Sequence, residues 1–77
     1  MEGIKKIRKK IDEIDNSILK LLSGRKEQIK KLKNIKSKLK KPIKDLGREK
    51  LILEKAKEKY EKEIFLKIIE ESRKLQE

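Results

Sequence analysis

The 77 residues contain no cysteine, no histidine and no tryptophan, a single proline, three glycines, one tyrosine and one phenylalanine. Each shortage removes a class of function. Without Cys and His these residues offer no disulfide, no zinc site and no thiol or imidazole catalysis. No apolar run approaches the ~20 residues that span a bilayer, so no membrane segment is expected. The basic N-terminus is not followed by the apolar stretch of a secretory signal, and a cytoplasmic location is the expectation.

Charge is what the chain has in abundance. Charged residues make up 51% and hydrophobic ones 34%, with 25 Lys+Arg against 14 Asp+Glu and a formal net charge of +11. Such composition points toward disorder. The apolar residues, however, are Ile and Leu at regular intervals, which a disordered chain lacks. The length allows one domain, residues 1–77. A core this small is marginal alone, and oligomerisation is a common remedy, so a helical oligomer is expected.

Residues 1–41 carry Ile4, Ile7, Ile11, Ile14, Ile18, Leu21 and Leu22, then Ile29, Leu32, Ile35 and Leu39. Spacings of three, four and seven predict one long amphipathic helix. Gly24 is its weak point, at ~1 kcal/mol against Ala, and a hinge there is the alternative. Pro42 ends the helix by disfavouring helical geometry in the residue before it. Asp45 is then a good N-cap for a second helix, with Ile52, Leu53, Ala56 and Tyr60 on one face. A last apolar stripe runs through Ile64, Phe65, Ile68, Ile69 and Leu75. Between Arg48 and Glu77 there is no Gly, Pro, Asn or Asp to signal a turn. Either a tight polar turn sits near residues 60–63, or residues 48–77 form one unbroken helix. Charge is uneven: residues 1–47 hold 16 basic and 6 acidic groups, residues 48–77 hold 9 and 8.

A solvated face explains Lys30, Lys31, Lys33, Lys38, Lys40 and Lys41. The informative residues are polar ones on the apolar stripe. Arg25 lies seven after Ile18 and seven before Leu32, with Gln28 on the same seam. It either sets register or snorkels outward, or it forms an anion site inside the bundle. Lys36 lies about three turns further, ~16 Å along the axis on nearly the same face. Between two such side chains there is room for a small dianion. Arg8 is ~42 Å from Lys36 by the same rise, so the two cannot grip one small ligand in one chain. If both are functional, Arg8 reaches a site in another subunit. Ser72 and Gln76 continue the inward stripe of the last helix. Asp45, Arg48 and Glu49 cluster at a helix N-terminus, which favours anions. A plain cap is the commoner role for Asp45, and a surface ion pair is the plain account of Arg48 and Glu49. There is no nucleophile–base pair. A pocket of this composition suits a compact dicarboxylate bearing a hydroxyl, and acts only through electrostatics and orientation.

These residues resemble the all-helical, AroQ-type chorismate mutases. The similarity lies in Ile7-Arg8-Lys9-Lys10-Ile11-Asp12-Glu13-Ile14-Asp15, in Leu21-Leu22-Ser23-Gly24-Arg25, and in Lys36 through Pro42-Ile43-Lys44-Asp45-Leu46-Gly47-Arg48-Glu49. It continues in Ile68-Ile69-Glu70-Glu71-Ser72-Arg73-Lys74-Leu75-Gln76. The resemblance implies an all-α fold, a long first helix with one or two shorter ones, in an intertwined helical-bundle dimer. It implies an isomerase that rearranges chorismate to prephenate in aromatic amino-acid biosynthesis, on the shikimate pathway, with no cofactor and no metal. Arg8 from the partner subunit and Arg25 would bind the two carboxylates. Lys36 would contact a carboxylate and the ether oxygen, and Gln76 would donate to that oxygen. Glu49 would accept from the ring hydroxyl near the Asp45 backbone. Arg48 and Ser72 would complete the polar shell, and Leu32 and Ile69 would wall the ring.

The sequence departs from that family between the second and third helices, where several residues of the usual turn are missing. If the two helices fuse, the third cannot fold back within its own subunit, and a domain-swapped or larger oligomer has to restore the pocket. Two other classes fit the composition. A basic nucleic-acid-binding helical module is suggested by +11, but aromatic residues and any DNA- or RNA-binding motif are missing and the excess is mostly Lys. Nucleic acid is therefore not expected as a partner. A structural coiled-coil module without activity is the third reading.

Overall fold

The computed structural model describes residues 2–77 and contains three helices: α1 (Glu2–Leu39), α2 (Leu46–Lys55) and α3 (Lys59–Gln76). Helix α1 runs through Gly24 without a break, so the hinge considered there is not formed. A methyl group on Gly24 would meet nothing within 4 Å, so no packing contact in the chain calls for glycine.

Helix α1 stops in two residues. Lys40 takes a left-handed conformation (φ 56°), the amide of Lys40 donates to the Ser37 carbonyl (3.3 Å), and that of Lys41 to the Lys36 carbonyl (2.9 Å). This is the paired bonding of a Schellman terminus, usually closed by glycine, with Pro42 following to bar continuation. A lysine in that region carries strain that glycine does not. Lys40→Gly is therefore expected to raise stability by about 0.5–1 kcal/mol, read as a higher denaturation midpoint at unchanged m-value.

Asp45 caps α2 as its sequence position suggests, its Oδ1 accepting from the Arg48 amide (3.0 Å). The connection between α2 and α3 is a tight turn at residues 56–58, upstream of the 60–63 stretch, and the unbroken 48–77 helix does not form. Ala56 leaves the helix in extended geometry (φ −79°, ψ 118°) and is buried. Glu58 starts α3, and the Glu61 carboxylate reaches back to its amide (3.2 Å), the return arm of a capping box. Glu58-x-x-Glu61 was thus the missing turn signal, disguised because Glu is an unusual cap. Tyr60 lies just past this turn and is exposed, not part of the α2 face.

With that turn, α3 packs back on both α1 and α2 of its own chain, so no domain swap is needed to bring α3 to α1. The part of α1 before Leu22, which shares a groove with Ile68 and Leu75 of α3, stands free. Ile4, Ile7, Ile11, Ile14 and Ile18 are each about half exposed, and the buried apolar residues are Ala56 and Ile69 alone among the described residues. The chain measures 56 × 24 × 15 Å, with a radius of gyration of 16.1 Å. A compact domain of this length has about 11.5 Å.

Candidate functional site

The pocket forms where α3 folds against the second half of α1 and the start of α2. Its volume is about 280 Å³. Helix α1 supplies Arg25, Leu32 and Lys36, the seven- and four-residue steps that keep one face in line. The first turn of α2 supplies Asp45, Arg48 and Glu49, and α3 supplies Ile69, Ser72 and Gln76. Nine of the ten residues to which the family resemblance assigned roles thus line one cavity. The tenth, Arg8, lies on the free half of α1, ~42 Å from Lys36 by helical rise.

The polar groups are held by one another. The Arg25 guanidinium donates to the Ser72 hydroxyl, which donates to the Ile68 carbonyl (2.6 Å). This Ser72 bond closes one turn of α3 and fixes the oxygen that orients Arg25. Lys36 Nζ donates to the Ile43 carbonyl in the α1–α2 loop (2.9 Å). An ammonium has three N–H groups, so two remain for a ligand. Gln76 is buried; its Nε2 donates to the Ser72 carbonyl (3.3 Å), and its Oε1 has no partner. The amide nitrogen carries a second N–H that this bond leaves unused. An unpaired buried amide oxygen costs about 1–3 kcal/mol and calls for a donor, such as a water or a hydroxyl.

Sequence reasoning missed Arg73. Its Nε donates to Glu49 Oε2 (2.9 Å) and its Nη2 to Glu49 Oε1, so both carboxylate oxygens are engaged. The hydrogen bond to Glu49 holds the Arg73 pKa above the usual guanidinium value. Glu49 therefore pairs across the α2–α3 interface and not with its neighbour Arg48. The signal was present: Arg73 shares the i, i+3, i+4, i+7 face of Ile69, Ser72 and Gln76. Gln28, noted on the seam of α1, also lines the pocket, as do the apolar Ile29, Ile43 and Ile52.

Four cations (Arg25, Lys36, Arg48, Arg73) and two carboxylates (Asp45, Glu49) leave the lining at +2. Arg25, Lys36, Glu49 and Arg73 are half-buried, which strengthens their charges by partly excluding water, whereas Asp45 and Arg48 stay exposed. The cavity therefore suits a compact dianion. Among the described residues no three His, Cys, Asp or Glu side chains converge as metal ligands, and no helix is long and apolar enough to cross a membrane.

Residues 7–77 match the family model described as chorismate mutase type II. A chorismate mutase of Methanocaldococcus jannaschii is 49% identical over 55 residues, which are 71% of this chain and 56% of that protein. A bifunctional chorismate mutase/prephenate dehydratase of Aquifex aeolicus is 47% identical over 55 residues, 71% of this chain and 15% of that protein. The chain thus spans about half the length of the first of these relatives and a small part of the second. A solved structure of a conserved hypothetical protein from Pyrococcus furiosus superposes with a TM-score of 0.93 at 40% identity, covering 100% of this chain and 99% of that one.

Proposed function

Because the chain belongs to the chorismate mutase type II family, we propose that its pocket converts chorismate to prephenate, an intramolecular [3,3] rearrangement, in aromatic amino-acid biosynthesis. The observation that carries the reading is the convergence of Arg25, Lys36, Asp45, Arg48, Glu49, Ser72 and Gln76, from three segments of the chain, on one cavity whose lining is +2. One C–O ether bond breaks and one C–C bond forms within a single bound dianion. No proton is transferred, which agrees with a site that has no nucleophile–base pair. What the protein supplies is a folded substrate conformation and stabilisation of the negative charge that grows on the ether oxygen.

The roles follow from that chemistry. Arg25, steadied by Ser72, takes one carboxylate. Lys36 spans a carboxylate and the ether oxygen with the two N–H groups left free by Ile43. The unused N–H of Gln76 donates to the same oxygen. Glu49 accepts from the ring hydroxyl beside the capped N-terminus at Asp45, Arg48 adds positive charge at the rim, and Leu32 and Ile69 flank the ring. The second carboxylate falls to Arg8 of another copy.

Surface area supports that second copy. The chain exposes 7063 Å², whereas a folded monomer of its mass exposes about 4,900 Å². The uncovered isoleucine stripe accounts for where the excess lies, and a homodimer that pairs the α1 helices buries it and carries Arg8 across.

The reading is tested by incubating the purified chain with chorismate in D₂O and identifying the product by NMR. Prephenate formed faster than in protein-free buffer, at the rate seen in H₂O and without deuterium on the ring carbons, is the expected result; the methylene beside the keto group exchanges by enolisation and is not read. Deuterium at a ring carbon, cleavage to pyruvate, or a rate no higher than buffer overturns it.

A further inference from the structure

The geometry points to Arg73 as a positioning residue that aims the Glu49 carboxylate at the ring hydroxyl of the substrate and cancels its charge toward the incoming dianion. The inference rests on the reading of the pocket just given. Three observations carry it. First, among the described residues this is the one ion pair that joins two helices; Lys67–Glu70, Lys74–Glu70 and Lys74–Glu71 all lie within α3 on exposed side chains. Second, the contact is a fork, Nε to Oε2 and Nη2 to Oε1, the arrangement that fixes the plane of a carboxylate as well as its place. Third, the Glu49 side chain is 16% exposed and Arg73 34%, so the pair sits in the wall of the cavity and not on open surface.

A fork of this kind leaves each carboxylate oxygen a further lone pair, so Glu49 still accepts from a hydroxyl. Without Arg73 the carboxylate would rotate about its terminal bond and face a dianion uncompensated. Lysine would restore the charge but not the plane, because an ammonium has no rigid fork. Arg73 touches Glu49 and acts on the substrate only through it.

The test compares chorismate with an analogue lacking the ring hydroxyl, each turned over by wild type, Arg73→Gln and Arg73→Lys. The ratio of kcat/KM for the two substrates is read on one protein sample, so the fraction folded cancels. Arg73→Gln is expected to lower kcat/KM for chorismate by about 10- to 100-fold, and to lower it several-fold less for the analogue, which feels the lost charge but not the lost aim at the hydroxyl. Arg73→Lys is expected to recover KM for chorismate more than kcat. In a Glu49→Gln background, Arg73→Gln is expected to cost little more, since the two residues act as a unit. An unchanged substrate ratio in both Arg73 variants, with wild type active, overturns this inference alone. Wild type inactive on both compounds overturns the functional reading and this inference with it. If Arg73→Gln fails to fold, the substrate ratio and kcat–KM split of Arg73→Lys decide the matter.

Discussion

Arg25→Leu is expected to lower kcat/KM for chorismate by about 10²–10³ while the protein still folds. On the proposed reading, the loss follows from removing a fixed cation that takes one carboxylate of the substrate in a partly dry cavity. The fold survives because nothing buried is orphaned. The Ser72 hydroxyl keeps its bond to the Ile68 carbonyl, and leucine continues the apolar spacing from Ile18 to Leu32. Replacing a partly buried charge by an apolar group of similar reach is often neutral or stabilising by about 1–4 kcal/mol. Stability and activity are thus expected to move in opposite directions, checked by thermal melts beside steady-state kinetics. Parallel loss of both would make Arg25 a structural element of the bundle and remove it from the site.

Mixing two inactive variants is expected to restore activity. Arg8→Ala and Lys36→Ala should each be nearly inactive as homodimers. When they are unfolded and refolded together, half of the dimers pair one of each. In such a hybrid one site combines an intact Lys36 with an intact Arg8 from the other chain, and the second site lacks both. Random pairing therefore regenerates about a quarter of the wild-type sites. The arithmetic depends only on Arg8 acting across the dimer. Were Arg8 to serve the pocket of its own chain, both sites of the hybrid would carry one defect and nothing would be recovered. Helical rise argues against that, since ~42 Å separates the two residues along α1.

Most of the architecture was legible because periodicity and caps are local signals. The apolar stripe of residues 4–39 gave α1, Pro42 its end, and Asp45 the start of α2. The inward-facing Ser72 and Gln76 were legible because a polar residue on an apolar seam is conspicuous. The α2–α3 turn was misplaced by several residues because its cap is Glu58, which in a chain with 14 acidic residues carries no contrast. Arg73 escaped for a similar reason. Among 25 basic residues one more arginine attracts no notice, and its partner Glu49 is 24 positions away on another helix. Pairings between elements depend on how α3 is set down on α2, and the sequence carries that only through the packed structure. The missing turn residues suggested fused helices, whereas three residues suffice because Ala56 is small enough to be buried at the corner.

The measurement closest to the central claim is the initial rate of chorismate loss with the purified 77-residue chain, beside Lys36→Ala at the same concentration and degree of folding. The account predicts turnover well above the buffer rate for wild type, and a drop of about 10²–10³ when the ammonium proposed to contact the breaking ether bond is removed. A folded, dimeric wild-type sample that consumes chorismate no faster than buffer, or a Lys36→Ala variant that matches wild type, would contradict it.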